Sequence, residues 1–363
     1  PVLKVTVGVS TPFTAYGGHS LTAISLCQKI FAGFGQRPEL AFLTSEDCTV
    51  RALLAKMKAT DCNQDSGSKC VVRLSPPEQR GCNLLIFCAA GTGAEAYQAV
   101  AKHIGNMQVY AVELPGRGQH ASEAFETDFV QLVDKLEVEL MSWTERRKEH
   151  IYLWGDSLGA VIAYTFACKW QESKHLSLLG LFVSGNVGPL EASAECGMGS
   201  SASGNLGLNR TSAADMSHDD WVQFLVASSG KKGEETRKLL EDKELAGIVL
   251  GSLRADCLVY ESYHLDRAIS LRMPIMTMRG ALDCITAPRA MKTWSKVAGG
   301  RVEHKEFQHA GHMVASECPA LVARHIVQAT MPDFSDELDA FKTYRAAYRL
   351  QRHRTKLHEA SSM

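Results

Sequence analysis

Residues 151–164 read IYLWGDSLGAVIAY. Ile151, Tyr152, Leu153 and Trp154 make a short apolar run of β type. It meets Gly155-Asp156-Ser157-Leu158-Gly159, and an alanine-rich apolar run of helical type follows. A G-x-S-x-G match carries meaning when a strand leads into it and a helix leaves it. Such an elbow forces its serine into a strained backbone conformation, tolerable because Gly155 and Gly159 let strand and helix approach closely. Ser157 Oγ would stand clear of the backbone at a helix N-terminus, where amides and the dipole favour negative charge. The plain alternative is a chance match in a loop, which both flanks argue against. Ser157 is the candidate nucleophile.

Outward from this turn, strands and helices alternate. Residues 83–88 form a buried-type strand that ends in Ala89-Ala90-Gly91-Thr92-Gly93, small residues that let backbone N–H groups turn inward. A helix is expected over 94–104, then a strand over 108–114, then Pro115-Gly116-Arg117-Gly118 and a long amphipathic helix over about 128–143. Beyond the elbow, strands are expected at 179–183, 274–280 and 302–307, with a closing helix over about 319–330. This alternation implies a mostly parallel sheet with helices on both faces. From residue 187 to about 264 the rhythm breaks. PLEASAECGMGSSASGNLGLNRTS reads as a mobile loop, and helices are expected over 219–227, 234–240 and 246–263. An insertion at this point is where a lid sits; the bland reading is a surface decoration.

A nucleophile elbow on such a sheet is followed in the chain by an Asp or Glu and then a His. His309 and His312 stand at the end of the last expected strand, and Gly311 gives the loop freedom to place the second ring. His312 is preferred, with His309 as the alternative. Asp283 lies just past a strand terminus, where a carboxylate can reach imidazole Nδ1 and hold the tautomer that takes the Ser157 proton. Asp256, in a lid-like helix, and Asp266, in the polar stretch beyond it, are the competitors. The oxyanion donors would be the backbone N–H groups of Leu158, next after the nucleophile, and of Ala90 in the first loop. The chemistry is acyl transfer through an acyl-serine.

At 363 residues, 45% hydrophobic and 22% charged, the chain reads as an ordinary globular protein of one large domain plus something smaller. A net charge of −1 gives no reason to expect a nucleic acid or an anionic membrane as partner. Eleven scattered cysteines without a C-x-x-C read as reduced thiols, which places the chain in the cytoplasm. No signal peptide and no transmembrane segment is found in the sequence. It opens on PVLK without a methionine, as a piece cut from something larger would. Residues 59–81, polar and containing Pro76-Pro77, read as an interdomain linker. Residues 333–363 turn from acidic to basic with interleaved aromatics, and read as a solvated helical tail rather than a docking or membrane-surface helix.

The N-terminal 58 residues read as a small helical unit. Gly17-Gly18-His19-Ser20-Leu21 turns into an apolar-faced helix, Gln36-Arg37-Pro38 breaks it, and a second amphipathic stretch runs over about 49–57. On residues alone, Ser20 at a helix start is a common N-cap. The stretch AYGGHSLTAISLCQKIFAGFG, with the helices after it, resembles the carrier (thiolation) domain of nonribosomal peptide and polyketide synthases. That resemblance implies a covalent 4′-phosphopantetheine arm on Ser20, with no metal. PVLKVTVGVS does not read as the family's first helix, so a truncated carrier is expected.

Over residues 82–332 the resemblance is closer. LLIFCAAGTGAEAY, AVELPGRGQH, LWGDSLGAVIAY, LFVSGNVGP, LRADCLVYESY and HAGHM match in order the thioesterases of those assembly lines, most of all the type II, editing subgroup. The resemblance implies an α/β-hydrolase with a helical lid, the triad Ser157, Asp283 and His312, and oxyanion amides at Ala90 and Leu158. It also implies acyl- or peptidyl-carrier domains, upstream synthase modules and a phosphopantetheinyl transferase as partners. Asp156 and Ala89 stand where the family usually has histidines, from which altered pocket electrostatics are expected. A carrier directly upstream is the layout of a chain-releasing enzyme, whereas the sequence resembles the editing subgroup; both roles stay open. Two rival readings are a stand-alone esterase or lipase, against which GGHSL argues, and a non-catalytic docking module, against which the intact triad argues.

Overall fold

The computed structural model describes residues 8–18, 23, 26–27, 30, 38, 40–61, 68–120, 123–146, 150–194, 212–230, 233–241 and 243–330. Ser20, residues 195–211 and residues 331–363 lie outside them. Residues 1–323 form one compact unit and residues 324–363 a second, whose described part is the end of the helix Pro319–Thr330.

The strands are β1 (Val71–Arg73), β2 (Cys82–Phe87), β3 (Met107–Val112), β4 (His150–Asp156), β5 (Ser177–Ser184), β6 (Ile275–Gly280) and β7 (Val302–Phe307). They form a seven-stranded sheet in the order β1-β3-β2-β4-β5-β6-β7, parallel except for β1, which runs antiparallel to β3. The α/β architecture therefore follows the expected one. β3 and β6 are buried along their whole length, as strands covered on both faces must be. The helix Leu158–Trp170 is apolar almost all round and buried to match. Its Phe166 stacks on Phe87 of β2 at 5.4 Å between ring centres, worth about 0.5–1.5 kcal/mol beyond the area removed from water.

Three local features depart from the sequence reading. β1 lies inside the stretch read as linker; Arg73 is buried there and its guanidinium rests 5.8 Å from the Tyr110 ring of β3. A polar, proline-bearing stretch masked this strand, which is only three residues long. Pro189–Ala194, read as loop, is a helix with proline at its first position, where the missing N–H costs nothing. The helix expected over 94–104 is a 3-10 turn, Ala94–Tyr97, followed by Gln98–Ala101.

The insertion is helical as expected: His218–Ser228, Gly233–Leu240 and Lys243–Glu261. Ser217 and Asp220 form a reciprocal capping box that starts the first. Trp221, Leu240, Leu250, Leu253 and Cys257 bury one another in a core of its own, against which Ala90 of the first loop packs. At the other end of the chain, Phe13, Leu43 and Cys48 bury together beside Leu53 of the helix Val50–Asp61. The Thr49 hydroxyl accepts the Ala52 N–H at 3.1 Å and caps that helix. No helix among the described residues is long and apolar enough to cross a membrane.

Candidate active site

Parallel strands bring their carboxyl ends to one edge, so the loops after β2, β4, β5, β6 and β7 gather there. At the end of β4, Ser157 takes φ 51°, the one non-glycine residue at positive φ among those described. Strain of this kind costs on the order of 1–3 kcal/mol and persists where the surroundings over-determine it. Here the Ser157 N–H donates to the Ser184 carbonyl at 2.8 Å, and the Asn186 amide donates to the Ser157 carbonyl at 2.7 Å. The flanking glycines are sterically required. A Cβ on Gly155 would lie 2.3 Å from the Gly159 carbonyl oxygen, and one on Gly159 only 2.0 Å from that of Phe87.

Ser157 Oγ lies 3.2 Å from His312 Nε2, and His312 Nδ1 lies 3.1 Å from Asp283 Oδ2. The structure thus brings together the three side chains singled out from sequence. His309 is exposed, which leaves the ring at position 312 as the one in place. Asp283 follows β6, and its other oxygen accepts the N–H groups of Ile285 and Thr286 at 2.8 and 2.9 Å. Arg279 donates to the Asp283 carbonyl at 3.0 Å and so fixes the turn. Burial alone would raise the Asp283 carboxyl pKa, but the His312 ring and those amides outweigh it and hold it below the usual carboxylate value. Burial works against a charged His312, yet Asp283, with Asp156 and Glu317 behind it, raises its pKa above the ordinary histidine value. A histidine set in this way can take a proton from Ser157 and hold it as a stabilised imidazolium.

The N–H groups of Ala90 and Leu158 have no protein acceptor among the described residues. Both face the same end of the sheet, because Phe87 of β2 pairs with Gly155 of β4. Asp156 is not a pocket residue. It is 1% exposed beneath the elbow, where Ser184 donates to it at 2.5 Å and Tyr97 at 3.0 Å. Burial raises its carboxyl pKa despite those bonds. The expected change in electrostatics therefore reaches His312 from beneath the turn, which Asp156 also supports through Ser184 and Tyr97.

Neither competitor for the triad carboxylate reaches His312. Asp266 pairs in solvent with His264 at 3.0 Å, and Asp256 is taken up by Arg117. Sequence reasoning missed Asn186, whose side-chain amide oxygen Oδ1 accepts the Tyr260 hydroxyl of the helical insertion at 2.8 Å, and Tyr97; neither lies in a motif that announces its partner. Among the described residues no group of three or more His, Cys, Asp or Glu is set to hold a metal ion.

A model of the thioesterase domain family matches residues 83–330. The chain belongs to the thioesterase family. It is a serine hydrolase of the α/β-hydrolase fold in the class that cleaves thioesters. This thioesterase is 29% identical over 173 residues to the chondramide synthase cmdD of Chondromyces crocatus, covering 46% of this chain and 4% of that one. It is 24% identical over 214 residues to the gramicidin S biosynthesis protein GrsT of Aneurinibacillus migulanus, covering 58% and 75% of the two chains. The fold resembles that of BorB, a type II thioesterase from the borrelidin biosynthetic cluster, with a TM-score of 0.58 at 23% identity, over 71% of this chain and 96% of that one. The chain spans a small fraction of the synthase and three quarters of GrsT.

Proposed function

We propose that this thioesterase releases acyl or peptidyl groups from a phosphopantetheine thioester during nonribosomal peptide or polyketide synthesis, with Ser157, His312 and Asp283 as its triad. The observation that carries the reading is the continuous Ser157–His312–Asp283 hydrogen-bond line on a strained elbow. His312 Nε2 accepts the Ser157 proton as Oγ bonds to the thioester carbon. The oxygen that turns negative meets the N–H groups of Ala90 and Leu158, each worth about 3–4 kcal/mol in such a role. The carbon–sulfur bond breaks and the imidazolium proton goes to the departing thiolate. Water, or a nucleophile within the acyl chain, then repeats the sequence on the acyl-serine. A set of acyl-pantetheine thioesters tests this: thiol release together with a transient acyl adduct mapped to Ser157 is expected. No thiol release from short or long chains would overturn it.

The same reading takes residues 1–58 as a carrier whose Ser20 bears the arm, 82–332 as the hydrolase and 333–363 as a tail. Acyl- or peptidyl-carrier domains and upstream modules are then its partners. Support comes from the GGHSL motif and from relatives named as a chondramide synthase and a gramicidin S biosynthesis protein. A phosphopantetheinyl transferase with coenzyme A should add one arm, read as a single mass gain that Ser20→Ala removes.

For the lid, the apolar residues of the helical insertion fall into two groups. Trp221, Leu250 and Leu253 are spent on the lid's own core, whereas Phe224, Leu225 and Val249 stay half-buried. Phe224→Ala should cost about 1–3 kcal/mol in kcat/KM on long acyl chains and little on short ones, the usual worth of one hydrophobic pocket contact. Leu253→Ala should instead lower stability by about 2–5 kcal/mol and reduce both substrates alike. The ratio of kcat/KM for long and short acyl thioesters separates the two outcomes.

A further inference from the structure

Asp256, in the lid helix Lys243–Glu261, and Arg117, in the loop after β3, are 2% and 5% exposed. The guanidinium donates through Nη1 to Oδ2 at 2.8 Å and through Nη2 to Oδ1 at 2.7 Å. This bidentate pair also holds the first loop. Asp256 Oδ2 accepts the Gly91 N–H at 2.7 Å, and Arg117 Nη1 donates to the Thr92 carbonyl at 3.0 Å. On the other side of Ala90, the Ala89 N–H donates to the Tyr97 hydroxyl at 2.9 Å, and that hydroxyl donates to buried Asp156. The amides at 89 and 91 are thus each tied to a buried carboxylate, one through Tyr97 and one directly. The amide between them has no protein acceptor among the described residues.

We propose that Arg117 and Asp256 are positioning residues that aim the Ala90 N–H at the developing oxyanion and make its aim depend on where the lid helix sits. The proposal rests on the acyl-serine reading above. A buried ion pair by itself is a weak source of stability, since a well-packed apolar pair of similar volume often does as well. What an apolar pair cannot do is accept the Gly91 N–H and donate to the Thr92 carbonyl. Leu253, one turn before Asp256, adds a second constraint, lying 3.2 Å from where a Gly91 Cβ would be. Movement of the lid helix therefore moves the loop through both contacts.

The test uses the full chain, Asp256→Asn, and the double variant Arg117→Met, Asp256→Leu. The measurements are kcat and KM with an acyl-pantetheine, the Ki of an alkyl boronic acid that forms a tetrahedral adduct on Ser157, Tm, and the number of serines titrated by a fluorophosphonate at completion. A misaimed oxyanion donor should lower kcat by about 100-fold, the lower end of the loss on removing one, with KM changed less than about twofold. The boronate Ki should weaken by the same factor. The double variant, freed of buried charge, should keep the wild-type Tm while its kcat and Ki stay impaired. A purely structural pair predicts the reverse: kcat and boronate affinity recover with Tm, and any loss follows the titrated fraction of active enzyme. That result would overturn the proposal. A wild-type chain that takes up no fluorophosphonate at Ser157 would instead overturn the acyl-serine reading, and the proposal with it.

Discussion

Ser157→Ala is expected to reduce thioester turnover by about 10⁶, because the bond that defines the intermediate is made to Oγ. What remains is the contribution of the oxyanion amides and of substrate binding. The fold should hardly register the change. The side chain caps no backbone group of its helix, and its recorded hydrogen bond is to the His312 ring. Stability should stay within about 0.5 kcal/mol of wild type, as for substitutions that create neither a cavity nor an orphaned charge. Steady-state hydrolysis of an acyl-pantetheine, with intact mass to look for the adduct, measures both halves. A variant that retained a substantial fraction of turnover would remove Ser157 from the chemistry.

Asp283→Asn should cost about 10⁴ in kcat, the loss seen when a triad carboxylate elsewhere becomes an amide. The reason can be read from its hydrogen bonds. One Asp283 oxygen already accepts Ile285 and Thr286, so the asparagine oxygen would stay with those amides and its NH2 would face His312 Nδ1. The imidazole would then carry its proton on Nε2, the atom that has to receive one. The pH profile should shift as well. The base must be neutral, so activity rises with pH through the His312 pKa, which Asp283 holds above the ordinary 6.5. Without that charge, burial dominates, although Asp156 and Glu317 still oppose it, and the acid limb of kcat/KM should move to lower pH. A profile that kept its acid limb would separate Asp283 from His312.

Much of this was legible in residues 151–164, because a strand, a G-x-S-x-G turn and an apolar helix impose one local geometry whatever surrounds them. Asp283 and His312 were legible for a related reason. Each follows a strand, and parallel strands deliver their ends to one edge. What escaped were pairings set by tertiary packing. Arg117 and Asp256 both stood in quoted motifs, yet 139 positions separate them and no periodicity links them. Asp256 was weighed as a triad member and holds a different group. Asp156 looked like a pocket charge because a residue next to a nucleophile reads as exposed, whereas a strand's alternation turns neighbouring side chains to opposite faces. β1 was missed because three residues carry too little pattern to be told from a linker.

That short strand draws a boundary of its own. The family match begins at residue 83, but β1, at Val71–Arg73, is what caps the β3 edge of the sheet. A fragment cut where similarity starts would leave Met107–Val112 with a bare row of backbone donors and acceptors, along a strand buried throughout its length. Such an edge is a template for another chain. Residues that resemble a tether are in this sense cover for the hydrolase's sheet edge, and a fragment that keeps β3 paired on that side has to begin ahead of residue 71.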